Sequence, residues 1–207
     1  EKLNWMEWDD LVYIHNTYRK QIKRKGYKIK SNILKQKEDF DLILKYVITS
    51  LYLIHSPRRN LYANTQVIKE REWMNITKEE RALNNYLVVI SRNNKFFSFG
   101  DYKTAKVYGV QRIRVDKKLN SVLNFWLNFN KTKWLLITRK REKMSSNNLT
   151  KYLSNAFSPS GKKISSQMLR KIYLSHKFPN GIYNEMEAIA QEMGHSVKTQ
   201  QHKYVKY

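Results

Sequence analysis

The residues with the clearest chemical potential lie near the end of the sequence, between Met193 and Tyr204. Gly194 and His195 adjoin there, and Tyr204 follows the histidine by nine positions. Glycine suits a corner between two helices because it has no Cβ, and the next residue would stand at a helix N-terminus, which favours anions. The pKa of a phenol is about 10, so it becomes a nucleophile when nearby cations stabilise the phenolate. The alternative interpretation of the same residues is an ordinary Gly-His turn followed by a surface helix without catalytic function.

This stretch resembles the motif of tyrosine recombinases, in which a Leu-Gly-His-Ser turn opens a short helix and the nucleophilic tyrosine follows at the same distance. Here the turn reads Met-Gly-His-Ser. The resemblance implies that Tyr204 attacks a DNA phosphodiester and that His195 donates a hydrogen bond to it. Tyr207 is the rival nucleophile, but it lies twelve residues after His195 and so departs from the motif.

A second box resembles the His-x-x-Arg segment of the same family. It runs from Ser165 to Tyr173 and puts Arg170 in the place of the family's second arginine. Gln167 stands where the family usually has histidine. Glutamine can donate a hydrogen bond, but it cannot carry charge or move a proton. An acid/base role at that position is therefore in doubt, and most helical arginines are simply solvated.

The family's first arginine follows a long hydrophobic helix, and the stretch from His55 to Tyr62 supplies Arg58 there, with Arg59 beside it. A basic pair at a helix end is the plain alternative. The Pro-Arg-Arg sequence, with a later Tyr-Lys-Thr, resembles recombinases of large eukaryotic DNA viruses and virophages more than bacterial ones.

A lysine on a β-hairpin completes the family's set. Lys103 lies between two predicted strands, in the stretch from Phe97 to Lys106. Lys106 is a nearby rival, since some lysine of a basic protein will always fall in a hairpin. The resemblance, which covers about residues 37 to 207, favours Lys103.

The resemblance implies a site-specific recombinase or integrase that cleaves and rejoins DNA through a 3′-phosphotyrosine, with a 5′-hydroxyl as the leaving group. Arg58 and Arg170 would hold the non-bridging oxygens of the phosphate, and Lys103 would protonate the leaving 5′ oxygen. The resulting 3′-phosphotyrosine conserves the energy of the broken bond, so a 5′-hydroxyl can reverse the step without ATP, metal or cofactor.

Three other interpretations stay open. A type IB topoisomerase resembles the same motifs but relaxes supercoils instead of exchanging strands. A DNA-binding module could keep the fold after losing activity, with Gln167 as the first sign of decay. His195 and His202 could bind zinc, although further ligands are lacking.

The charge balance points to nucleic acid. The 207 residues include 40 Lys and Arg against 17 Asp and Glu, which gives a formal charge of +23. Double-stranded DNA is the expected partner, and a solvated basic face without a partner is the alternative. The sequence has no cysteine, which excludes disulfides and thiol nucleophiles, and no apolar run long enough to span a membrane. Candidate DNA contacts are Lys23, Arg24, Lys25, Arg59, Lys106 and Lys171.

The elements that must position these residues can be predicted from periodicity, turn residues and caps. The sequence predicts an α+β fold, mainly α-helical, with a small antiparallel sheet flanked by helices. Predicted helices cover residues 5–20, 37–55, 118–129, 145–156, 165–176, 184–193 and 198–204. Predicted strands cover residues 86–90, 96–99, 107–115 and 134–137, and a basic loop or frayed helix end covers 19–32.

We expect residues 1–207 to form a single catalytic domain, with an N-terminal helix and basic loop at 1–36 and the motif-bearing core at 37–207. Because the first residue is Glu1 and not methionine, we expect a longer protein. The resemblance implies a preceding DNA-clamping domain, and a homotetramer on paired DNA sites for the full-length protein. The expected location is intracellular, in the nucleus or a cytoplasmic viral factory if the source is a virus.

Overall fold

The computed structural model describes residues 2–27, 36–178 and 183–194. They form two compact units. The first unit contains the described residues up to Arg59 and from Thr150 onward, and the second contains Asn60–Leu149. His195 and Tyr204 lie outside the described residues, as does the predicted helix over 198–204.

The helices and strands are as follows in chain order. The helices are α1 (Trp8–Lys25), α2 (Lys37–Leu53), α3 (Glu70–Met74), α4 (Lys78–Leu83), α5 (Ala105–Tyr108), α6 (Lys117–Phe129), α7 (Ser146–Ala156), α8 (Ser166–Lys177) and α9 (Tyr183–Met193). The strands are β1 (Thr65–Lys69), β2 (Asn85–Ser91), β3 (Asn94–Phe99) and β4 (Gln111–Arg114). Short 3-10 turns cover Lys2–Asn4, Asn60–Asn64 and Ser158–Ser160. None of the described helices is both long enough and apolar enough to cross a membrane.

Helix α1 continues to Lys25, so the predicted helix end near Lys20 was wrong, as was the predicted loop or frayed end for residues 19–25. Residues 28–32 of that predicted segment lie outside the described residues. Gly26 ends the helix with a φ of 58°, and its N–H donates to the carbonyls of Ile22 and Lys23. Glycine adopts this left-handed geometry without steric cost, which makes it a common helix terminator. The end of the helix was not predicted because most residues of this stretch are basic, although Ile22 lies on the buried face of the helix.

Two helix pairs build the first unit. α1 packs on α2 through apolar positions at helical spacing, including Leu11, Ile14, Phe40 and Leu44. Leu174 of α8 and Phe178, directly after that helix, form a second cluster with Met193 at the end of α9. The predicted helices over 165–176 and 184–193 are confirmed. Ser165 caps α8, since its hydroxyl accepts from the N–H of Met168 at 3.2 Å.

The second unit contains a four-stranded sheet in the order β1-β2-β3-β4. β2, β3 and β4 are antiparallel neighbours, as predicted, but β1 pairs with β2 in parallel, so the sheet is mixed. A parallel pair needs a crossover connection, and α3 and α4 supply it. These three elements were not predicted, because β1 and the short helices after it are too polar for a hydrophobic period.

Two predicted strands were partly wrong. The run from Val107 to Val115 includes the end of α5, and only Gln111–Arg114 pairs with β3. The change falls at Gly109, which has a φ of 65° and a ψ of −162° and therefore breaks an extended run. The hydrophobic run from Trp134 to Ile137 forms isolated bridges to Gln66 and Lys143 instead of a strand.

Candidate active site

Arg58 lies five residues beyond the end of α2, directly after Pro57. Its side chain is 1% exposed, which makes it one of the largest fully buried side chains among the described residues. The neighbouring Arg59 is half-buried, and its carbonyl accepts from the Tyr52 hydroxyl at 3.4 Å. A buried guanidinium interacts with an anion more strongly than a solvated one, because the surroundings have a lower dielectric constant.

Arg170 occupies the middle of α8 and is also 1% exposed. Gln167, one turn earlier, is exposed. The two residues that the His-x-x-Arg resemblance pairs therefore differ sharply in burial. The buried arginine can act as a fixed electrostatic group, whereas the exposed amide can offer a hydrogen bond only.

A hydrogen-bonded junction joins the segments that carry these residues. The Ser56 hydroxyl donates to the Glu192 carboxylate at 2.5 Å and lies 3.2 Å from the Tyr173 hydroxyl. Because the single serine proton goes to Glu192, the tyrosine must be the donor in its contact with Ser56. Burial raises the pKa of Tyr173, the hydrogen bond with Ser56 offsets part of that rise, and the nearby charge of Glu192 adds to it.

Each residue of the junction lies close in sequence to a different candidate catalytic residue. Ser56 lies two residues before Arg58, Tyr173 lies one helical turn after Arg170, and Glu192 lies three residues before His195. The ring of Trp8 further fixes Tyr173 by an edge contact at 5.4 Å. The first unit thus joins, through three side chains, the chain segments that the recombinase resemblance identified separately.

Gly194 ends α9 in a left-handed conformation, and the helix predicted after it lies outside the described residues. Its φ is 70°, and its N–H donates to the Gln191 carbonyl at 3.0 Å, which closes the end of α9. A side chain would be strained in this conformation. The chain therefore turns at the residue before His195.

Lys103 lies in the connection between β3 and β4, as the sequence predicted, and is exposed. The buried Asn85 side chain fixes the start of this connection, donating to the Asp101 carbonyl at 3.0 Å and accepting from its N–H at 3.1 Å. The Tyr102 hydroxyl fixes its end by donating to the Gly109 carbonyl at 2.6 Å. Lys103 is thus an exposed cation on a well-anchored loop, and Lys106 is exposed on α5.

A third lysine near this hairpin has a different character. Lys95 of β3 is 1% exposed, and its ammonium donates at 2.7 Å to the Arg92 carbonyl and to the side-chain oxygens of Asn120 and Asn124. Burial, assisted by the charge of Arg92, lowers the pKa of Lys95 to about 8. All three of its protons are donated within the unit, so Lys95 is a structural group.

The candidate DNA contacts differ in their surroundings. Lys23, Arg24 and Lys25 are exposed on the last turn of α1, and Lys25 pairs with Asp39 at 2.5 Å. Lys171, next to Arg170 on α8, is buried like the two candidate arginines and is 6% exposed. Within the described ranges, no group of three or more metal-ligating side chains could hold a metal ion.

Sequence reasoning missed Ser56, Tyr173, Glu192 and Asn85. The first two lie inside the stretches that carry the arginines, and the position of Tyr173 one turn after Arg170 was the available signal. Glu192 and Asn85 had no such signal, because their partners are distant in sequence.

No protein-family model matches the chain. No curated protein matches it in sequence either. Among solved structures, the chain is similar to a crystal structure of XerA recombinase, with a TM-score of 0.54 and 14% sequence identity. The match covers 80% of this chain and 54% of that one, so the chain spans about half the length of the solved structure it matches. This likeness shows the fold, which is that of a tyrosine recombinase catalytic domain.

Proposed function

We propose that the chain is the catalytic domain of a site-specific DNA recombinase or integrase that acts through a 3′-phosphotyrosine intermediate. The observation that carries the proposal is the full burial of Arg58 and Arg170 in one unit of this fold. Two buried guanidinium groups are a costly arrangement that suits the charge of a phosphodiester. The excess of 40 basic over 17 acidic residues supports DNA as the substrate.

In the proposed reaction, the Tyr204 oxygen forms a bond to phosphorus and the bond from phosphorus to the 5′ oxygen breaks. Arg58 and Arg170 stabilise the charge of the transition state, and His195 donates a further hydrogen bond. The phenol releases its proton to solvent, and the 5′ oxygen gains a proton from Lys103, which takes up a proton from solvent in turn. Gln167 contributes at most a hydrogen bond.

The test is covalent trapping of the 207-residue chain on a pool of nicked duplexes with randomised sequence. Cleavage next to the nick releases a short 5′-hydroxyl fragment, so religation stops and the adduct accumulates. We expect protein attached to the 3′ end of the cleaved strand. Duplex binding without any adduct would favour the decayed binding module, and relaxation of supercoils by the full-length protein without strand exchange would favour the topoisomerase.

For the full-length protein we further propose a source, a cellular location and an assembly. The Pro-Arg-Arg and Tyr-Lys-Thr sequences support a recombinase of a large DNA virus or virophage, acting inside the host cell, in the nucleus or a cytoplasmic viral factory. A preceding DNA-clamping domain and a tetramer on paired DNA sites are proposed with it. Strand exchange between two duplexes, measured with the full-length protein, tests the assembly.

The Lys103→Ala variant is expected to cleave ordinary DNA about 100-fold more slowly than the wild type, or slower still, because general acids contribute at least that much. The defect should disappear on a substrate whose 5′-bridging oxygen is replaced by sulfur. A thiol has a pKa of about 8.5 and leaves without being protonated. Single-turnover cleavage of the two substrates measures the difference.

Lys106→Ala is the matched control, since both lysines are exposed in the same connection. It should cleave both substrates at the wild-type rate. Rescue of Lys106→Ala by sulfur, with Lys103→Ala unaffected, would assign the proton donor to Lys106.

The Ser56→Ala variant is expected to lose about 1–3 kcal/mol of unfolding free energy, because Glu192 and Tyr173 lose their shared partner. It should also cleave DNA several-fold more slowly at unchanged duplex affinity, since the junction positions the segments of Arg58 and Arg170. Ser50→Ala removes a buried hydroxyl of α2 that donates to the Tyr46 carbonyl at 2.7 Å, and serves as the control. If Ser56→Ala and Ser50→Ala cleave DNA at equal rates, the junction stabilises the fold but does not position the arginines.

A further inference from the structure

We infer that the turn formed by Arg139, Lys140, Arg141, Glu142 and Lys143, here called the basic turn, binds phosphate groups of duplex DNA together with Lys133. This inference rests on the proposed function, which makes DNA the substrate. The basic turn and Lys133 lie in the second unit, outside the segments that resemble recombinase motifs.

Backbone hydrogen bonds hold the basic turn in one shape. The N–H of Thr138 donates to the Glu142 carbonyl and the N–H of Arg141 donates to the Thr138 carbonyl, each at 2.9 Å. Below them, the N–H of Met144 donates to the Leu136 carbonyl at 3.1 Å, and both of these residues are fully buried. The chain on both sides of the turn is therefore anchored in the protein core, while the four cationic side chains of the turn are exposed.

Arg141 has an unusual backbone. Its φ is 64°, and it is the only non-glycine residue with a positive φ in the described part of the chain. Left-handed geometry disfavours residues that have a Cβ, and glycine or asparagine adopts it more readily. An arginine held in this conformation indicates that its side chain is needed for something other than stability.

Two of the cations of this surface, Lys143 of the basic turn and Lys133, lie over an aromatic ring. The Lys143 ammonium lies 4.5 Å from the centroid of Trp134, and the Lys133 ammonium lies 5.2 Å from it. A cation over an indole face is attracted by the electron density of the ring. The Trp134 ring thus contacts Lys143 of the basic turn and also Lys133, and it restricts the freedom that both lysines would lose on binding a phosphate.

Within the part of the chain that the structure describes, no ion pair neutralises the charge of this surface. It combines five cations with the single carboxylate of Glu142. In the described ranges, none of the cations of the basic turn forms an ion pair with Asp or Glu. Exposed arginines on a fixed turn match the phosphate backbone, where they displace condensed counterions.

The test compares the Arg141→Asn variant with the wild type in two assays, thermal unfolding and duplex binding across salt concentrations. The melting temperature should stay unchanged or rise by about 2 °C, since asparagine tolerates the left-handed geometry. The affinity should fall roughly fivefold, equally for two duplexes of unrelated sequence, and the slope of log K against log salt should decrease by about one.

Arg71→Gln is the matched control, because it removes one exposed cation from α3 of the same unit. Its salt slope should match that of the wild type. If Arg141→Asn binds duplex DNA as the wild type does, the phosphate contact is refuted. The proposed function still stands in that case, provided that the wild type forms the covalent adduct. Weakened binding by Arg141→Asn without any wild-type adduct would support the contact and refute the proposed catalysis.

Discussion

The Tyr204→Phe variant will form no covalent complex with nicked DNA, yet it will bind intact duplex as the wild type does. Phenylalanine keeps the ring but lacks the oxygen that forms the bond to phosphorus, so the chemical step has no substitute nucleophile. Binding depends mainly on phosphate contacts by Lys and Arg, which the substitution leaves in place. Denaturing gels of trapped complexes and fluorescence anisotropy with a labelled duplex measure the two effects.

Tyr207→Phe is the control for this prediction, because Tyr207 is the nearest rival in the sequence. That variant should accumulate adduct like the wild type. An adduct that survives Tyr204→Phe and vanishes in Tyr207→Phe would move the nucleophile to Tyr207. An adduct that survives both would mean that neither tyrosine attacks.

Replacing Arg170 with lysine should slow cleavage by about 1,000-fold or more, the range in which an arginine stabilises the transition state of phosphoryl transfer. Lysine keeps the positive charge but is a point donor, so it cannot hold two phosphate oxygens in one plane. Arg170 is almost fully buried, which leaves a shorter lysine little freedom to move toward the phosphate. Single-turnover cleavage at saturating protein measures the rate.

Arg24→Lys provides the matched control, since Arg24 is exposed on α1 of the same unit. It should cleave at the wild-type rate, and circular dichroism should show that both variants are folded. Arg170→Lys with a cleavage rate close to that of the wild type would show that Arg170 is a structural cation rather than a phosphate ligand.

Local sequence signals decided most of the helical framework. Ser165 caps α8, and the hydrophobic spacing of α2 and α6 placed them nearly where the structure has them. Caps and helical periods act within one or two turns of chain, so a single sequence contains the information. The resemblance supplied Arg58, Arg170 and Lys103 as candidates, and the two arginines share one unit.

Contacts between distant segments decided the rest. β1 became a strand because its residues pair in parallel with β2, although they have no strong hydrophobic period of their own. Ser56 meets Glu192 across 136 positions of sequence, and neither residue signals the other. Charge composition predicted a basic surface, but only the fold distinguished the buried guanidinium groups of Arg58 and Arg170 from the exposed ones of the basic turn. Burial is a property of the packed chain, and the sequence alone gives residue types without their surroundings.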